Sequence, residues 1–414
     1  SLTVHYSDQQ YKEETIERLT AFLRESLSEI IQHCMSKLRN EVKLRENDST
    51  QKHLASCNAS SGEWVDLEGV VDGFFNASYM NDIPGAIVAV VHNGEVKVKK
   101  AYGYANIQEK VPMSADDTVI KVGSISKVVT VAAIMRLVEQ GRIGWNDDIQ
   151  QYIYEIEIPR KIDGPLAVEH LLSYTSGFGS PDKGNEQSYN FGGRESLTLR
   201  DYILRYMPTV VHQPGQHYNN ENFSFMLSGY LVEKVTGIPF HRYVSEQFFE
   251  PLGMTNSSFI LNPELEAKMA TGYDLENEAV PRYDFSPADS PDGSMLSTGH
   301  DISKFMLALL NKGVYGGNAI LKEDSIVKMF SSKSVSLPQL TDTGYGFMTK
   351  FHPEYSNDNI LAKAGEVIGY NSFMWFLPEK NTGVFISANK SYFNKIEFFE
   401  YFMKQYYPAE AFIM

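Results

Sequence analysis

Lys121-Val122-Gly123-Ser124-Ile125-Ser126-Lys127 opens an apolar run, Val128 to Gln140, that Gly141 closes. The run has the composition of a buried helix, and glycine is the residue that most readily ends one. A serine at such a helix start lies beside backbone N–H groups that have no acceptor within the helix. A lysine three residues further on projects from the same face. In a largely apolar surrounding its ammonium form is disfavoured, so its pKa falls and it can take the serine's proton. Ser124 is therefore the candidate nucleophile and Lys127 its candidate base. Ser325-Ile326-Val327-Lys328 has the same spacing but opens no comparable buried helix. The bare Ser-x-x-Lys pattern is weak without that context.

Outward from this helix, Ala86 to Val91 and Val96 to Tyr104 flank Asn93-Gly94, a strong short-range hairpin signal. Ser372 to Leu377 and Gly383 to Ala388 form a second strand pair around Pro378 to Thr382, and a helical segment follows from about Asn394 to Tyr406. Between the two pairs lies a long, mostly helical middle. Strands at both ends and helices between them predict an α/β domain: one antiparallel sheet completed by both termini, with an inserted helical region and a cleft between sheet and helices. Upstream, Ile16, Leu19, Leu23, Leu27, Ile30, Cys34, Leu38 and Val42 recur at helical spacing, predicting one helix from about Asp8 to Arg45. Glu46 to Gly62 is polar and lacks periodicity. Residues 1–62 thus read as an N-terminal helix and linker, and 63–414 as the main domain. The helix seam needs a partner, and its Glu and Lys or Arg flanks favour self-association over docking on the main domain.

The residues around Ser124 resemble those of a known family. Ile120 to Ile149, with Leu137-Val138-Glu139-Gln140-Gly141, looks like the nucleophile helix of the class C β-lactamases and D,D-peptidases, the penicillin-recognising serine hydrolases. In order along the chain, His170-Leu171-Leu172-Ser173-Tyr174-Thr175-Ser176-Gly177 is similar to the family's His-Leu-Leu-Ser-His-Thr-Ser-Gly, Leu252-Gly253-Met254 to its Leu-Gly-Met, and Ser297-Thr298-Gly299-His300-Asp301 to its Ser-Thr-x-x-Asp. The resemblance covers roughly Asp82 to Tyr406 and implies a serine β-lactamase-like fold. It also implies a second motif, Tyr-x-Asn, in which the tyrosine helps move the proton and the asparagine binds the substrate amide. Tyr218-Asn219-Asn220 fits on sight, whereas a gap-free register from Pro214-Gly215 to Glu233 lays Asn220-Glu221-Asn222 on the motif. In that register Asn220 replaces the tyrosine, and an amide cannot serve as a base. The third motif falls on Lys363-Ala364-Gly365-Glu366. Lys363 would bring positive charge, Gly365 would let the backbone approach the acyl group, and the N–H groups of Ser124 and Glu366 would form the oxyanion hole. Ala364 lacks a hydroxyl that helps hold a carboxylate, and Glu366 puts an acid where glycine or serine is usual. Both point away from a substrate bearing a free carboxylate.

The expected activity is acyl transfer from an ester or amide, a small molecule or a peptide, through a covalent Ser124 ester. Two other readings stand beside it: a non-catalytic binding or scaffold protein that has lost the catalytic tyrosine, and a D,D-peptidase or β-lactamase proper. A net charge of −15 and a pI near 5.2 oppose the phosphate neutralisation that nucleic-acid binding needs, so no nucleic-acid partner is expected. No metal or cofactor is expected either, because no His-Glu-x-x-His, paired Cys-x-x-Cys or clustered ligand spacing occurs. Gly-x-Ser-x-Gly is also absent, leaving no nucleophile elbow of the α/β-hydrolase kind. Cys34 and Cys57 could form at most a single bridge. No run of about 18 apolar residues predicts a membrane span. The chain begins with Ser1 and carries no signal peptide, which suggests a removed targeting segment and a periplasmic, extracellular or membrane-tethered exterior site.

Overall fold

The hairpin expected around Asn93-Gly94 is present, with both turn residues in the left-handed conformation that such a two-residue loop requires (φ 49° and 81°). The structure is a computed structural model that describes residues 66–76, 82–179, 197–337, 340–349 and 359–408. These lie in the unit Trp64–Met414. The predicted N-terminal helix, its linker, its self-association and both cysteines fall outside the described residues.

Nine strands position the site: β1 (Gly85–His92), β2 (Glu95–Asn106), β3 (Val111–Pro112), β4 (Ile120–Lys121), β5 (Leu296–Ser297), β6 (Met348–Thr349), β7 (Leu361–Val367), β8 (Tyr370–Leu377) and β9 (Thr382–Ala388). Seven of them make one sheet in the order β6-β7-β8-β9-β1-β2-β3, every neighbour antiparallel. β1 pairs with β2 on one side and with β9 on the other, so that Ala86 stands opposite both Tyr102 and Ala388. The two ends of the domain therefore complete one sheet.

The apolar run of β1 has a physical reason: both of its faces are buried. Ile87, Ala89 and Val91 join the large core cluster, whereas Ala86, Val88 and Val90 join a second cluster on the far face. The first face is packed by α4 (Gly299–Leu310), and the same cluster takes in α2 (Ser126–Glu139) and α3 (Phe223–Thr236); the second is packed by α1 (Leu67–Asn76) and α5 (Lys395–Tyr406). α2 ends as expected: Gly141 takes φ 65° and the Arg142 N–H returns to the Leu137 carbonyl at 3.0 Å. The small β4–β5 pair ties the residues before Ser124 to the segment leading into α4. Among the described residues no helix is long and apolar enough to cross a membrane.

Candidate active site

Ser124 occupies a single 3-10 turn, Gly123–Ile125, immediately ahead of α2. Gly123 has φ 58°, a conformation that side chains disfavour, and a Cβ there would stand 2.8 Å from the Glu366 nitrogen. Across the gap, a Cβ on Gly365 would lie 2.0 Å from the Val122 carbonyl oxygen and 3.2 Å from the Ser124 nitrogen. The serine turn and β7 thus meet main chain to main chain, with the Ser124 and Glu366 nitrogens on the shared side. Among the described residues β6 pairs with β7 at Leu361 and Ala362 only, and no strand pairs β7 beyond them on that edge.

Lys127, in the first turn of α2, is buried. Its Nζ donates to Ser124 Oγ at 2.9 Å and to the Asp292 carbonyl at 2.9 Å, and stands 3.8 Å from Asp292 Oδ2. Burial holds its pKa below the usual lysine range, while the charges of Asp292 and Glu221 oppose that shift. Lys363 on β7 is buried as well, and its Nζ bonds the Tyr174 hydroxyl, which in turn donates to the Gly346 carbonyl at 3.2 Å. Burial and the nearby Lys127 push Lys363 well below its ordinary value, and Asp292 pulls it back.

Among the described residues, no residue of the two tyrosine registers hydrogen-bonds Ser124 or Lys127. Tyr218 is half-buried, its ring 5.6 Å from that of Tyr174, and no hydrogen bond links its hydroxyl to Ser124 or Lys127 among the described residues. The Asn220 side chain is exposed. Asn222 sits at the N-terminus of α3 without capping it, its carbonyl accepting from the N–H groups of Phe225 and Met226. Between them, the Glu221 carboxylate turns inward and accepts from the Ser224 N–H at 2.8 Å, the Ser224 hydroxyl and the Ser176 hydroxyl. Burial pushes its pKa up.

Strand alternation divides the third motif. Lys363 and Gly365 face the serine turn, whereas Ala364 packs with the far-face cluster and the exposed Glu366 side chain reaches Lys395 at the start of α5. Lys395 also donates to Asn371 Oδ1 at 2.7 Å. The Glu366 acid is thus engaged away from the cleft, and it offers no argument about the substrate's charge.

Two groups escaped the sequence reading. Tyr174 replaces a histidine within the His-Leu-Leu-Ser-x-Thr-Ser-Gly run, and its backbone takes φ 58°, unusual for a bulky residue. That exchange was visible in the sequence. Asp292 lies in the short polar segment Ser286 to Ser294, which carries no periodic pattern to mark it. Burial holds the Asp292 carboxyl above the ordinary range, while Lys127 and Lys363 oppose the shift. Among the described residues no group of three His, Cys, Asp or Glu side chains is placed to hold a metal ion. The second Ser-x-x-Lys match lies on the helix Glu323–Met329, with Lys328 over the rings of Trp145 and Tyr345.

The family model described as Beta-lactamase matches residues 71–401. Protein flp of Staphylococcus aureus is 26% identical over 314 residues, a match that covers 74% of this chain and 60% of that protein. The chain spans less than two thirds of that relative's length. The solved structure of the octameric penicillin-binding protein homologue from Pyrococcus abyssi superposes with a TM-score of 0.68 at 25% identity, over 82% of this chain and 77% of that one. The beta-lactamase/D-alanine carboxypeptidase from Pseudomonas syringae also gives 0.68, at 21% identity, over 83% and 99% of the two chains.

Proposed function

The chain belongs to the beta-lactamase family, and from that premise we propose that it is a serine hydrolase or acyltransferase working through a covalent ester on Ser124. The observation that carries the proposal is the 2.9 Å contact between a buried Lys127 amine and Ser124 Oγ. As a neutral amine, Lys127 takes the hydroxyl proton while Oγ bonds the acyl carbon. The N–H groups of Ser124 and Glu366 hold the resulting oxyanion, and Lys127 returns the proton to the leaving group. Water or another nucleophile then releases the acyl group by the reverse sequence.

Charge around the site favours an ester or amide without a free carboxylate. Lys363 shares its surroundings with Asp292, so its positive charge is already compensated. Incubation with a fluorophosphonate, followed by intact-mass analysis, should add one probe per chain, and Ser124→Ala should abolish the adduct. A p-nitrophenyl ester should turn over while benzylpenicillin acylates slowly. Rapid acylation by penicillin would favour a peptidase or β-lactamase proper. Among the described residues no phenol is bonded to Ser124 or Lys127, which favours a second reading, a binding protein that keeps the cleft without turnover. Failure of every serine-directed probe to label Ser124 would select it.

A further inference from the structure

We infer that Asp292 is a positioning residue that orients Lys127 and receives its proton, in place of a tyrosine, none of which hydrogen-bonds Lys127 among the described residues; the inference rests on the acyl-transfer reading above. Asp292 presents two acceptors to one amine. Its carbonyl accepts from Lys127 Nζ at 2.9 Å, and its Oδ2 lies 3.8 Å from the same atom. A neutral amine has two N–H bonds and one lone pair. With both N–H bonds turned toward Asp292, the lone pair faces Ser124 Oγ, the geometry a general base needs. The remaining gap to Oδ2 is of the kind that tightens when substrate excludes water.

The position is built rather than incidental. The Thr130 hydroxyl donates to the Pro291 carbonyl at 2.6 Å, the Met295 N–H donates to Ser126 Oγ at 3.0 Å, and the Val122 N–H donates to the Met295 carbonyl at 3.0 Å. Pro291 rests on Gly229 of α3, where a Cβ would come within 2.1 Å of its ring. Residues on both sides of Ser124 therefore grip the segment that carries Asp292. Its Oδ1 is buried and has no hydrogen-bond partner among the described residues.

The proton step conserves charge. The N–H bond of the Lys127 ammonium breaks as an O–H bond forms on Asp292 Oδ2, turning a buried ion pair into a neutral amine and a neutral acid. Burial favours that exchange, since neither charge is solvated. The groups that face Asp292 are Lys127 on α2, Lys363 on β7, Asp289 in its own segment and Tyr202 on the helix Leu199–Tyr206, with Glu221 acting through Lys127. Without Asp292, the amine can appear only above the pKa of Lys127 itself. With it, the pair reaches the active form as soon as its first proton has left, at lower pH.

The test is the pH profile of fluorophosphonate labelling in the full chain. In Asp292→Asn the acid limb should move up by about one pH unit or more, about a tenfold loss of rate on the limb, and the rate should recover at alkaline pH. Asp292→Glu, whose carboxylate can reach the same amine, should keep the limb within about half a unit of the wild type. An unchanged limb in Asp292→Asn, or one moved to lower pH with faster neutral labelling, would overturn the inference, since the carboxylate would then merely hold Lys127 protonated. Should the Asn variant fail to fold, the Glu variant decides: a limb displaced by about one unit or more overturns the inference, and one that stays supports it. No labelling of the wild type at any pH would instead remove the acyl-transfer reading, and this inference with it.

Discussion

At Gly365 and Gly141 the same residue type is required for different reasons, and substitution separates them. A methyl on Gly365 would meet the Val122 carbonyl at 2.0 Å and the Ser124 nitrogen at 3.2 Å, both main-chain atoms that cannot swing aside. Gly365→Ala should push β7 off the serine turn, displace the Glu366 N–H and slow Ser124 labelling by about 10². Nothing lies within 4 Å of a Cβ on Gly141, whose φ is 65°. Gly141→Ala should lose only about 1–2 kcal/mol of stability through backbone strain, with labelling unchanged. Paired measurements of melting temperature and labelling rate check both. Equal labelling rates in the two variants would remove the close approach of the two chains as a requirement for the site.

The elements differ in how much of themselves they declare in sequence. β1 and its hairpin were legible because a two-face-buried strand is a continuous apolar run and Asn93-Gly94 suits only a tight turn. The nucleophile helix was legible from its burial and its glycine stop. The segment Ser286 to Ser294 was not: it is short and polar, and its bonds to Thr130, Leu197 and Phe259 fix where Asp292 points. Local pattern cannot report such long-range contacts. The Tyr-x-Asn register failed to resolve for the same reason, since it depends on how the loop before α3 folds back, with Glu221 rather than its neighbours turned inward. α5 provides a test of the far face. Phe402 is fully buried, its ring 5.8 Å from that of Trp375. Phe402→Ala should lose about 3–5 kcal/mol and lower the melting temperature, while the folded fraction labels Ser124 at the wild-type rate. Slower labelling of the folded fraction would mean that the two faces of the sheet are coupled.

Across the whole molecule, a net charge of −15 surrounds an interior in which carboxyl groups are also buried. Lys127 and Lys363 compensate Asp292, but among the described residues no ion pair reaches Asp289, whose Oδ2 accepts from the Ser286 N–H at 3.2 Å. Burial and the charge of Asp292 raise the Asp289 pKa above its ordinary 3.8. From that value upward the folded chain holds a proton that the unfolded chain has released, so the Asp289 contribution to stability falls as pH rises. Each unit of upward shift is worth about 1.4 kcal/mol once the pH exceeds the folded value. Asp289→Asn keeps the shape and the acceptor for Ser286 but removes the ionisation. The melting temperature of the variant relative to wild type should therefore increase steadily between about pH 5 and pH 8. Lys121, whose pKa burial brings down to about 8, titrates in both proteins and cancels in the difference. Thermal melts of the two chains across that range check it. A difference that stays flat or shrinks with pH would mean that Asp289 ionises in the fold as freely as in the unfolded chain.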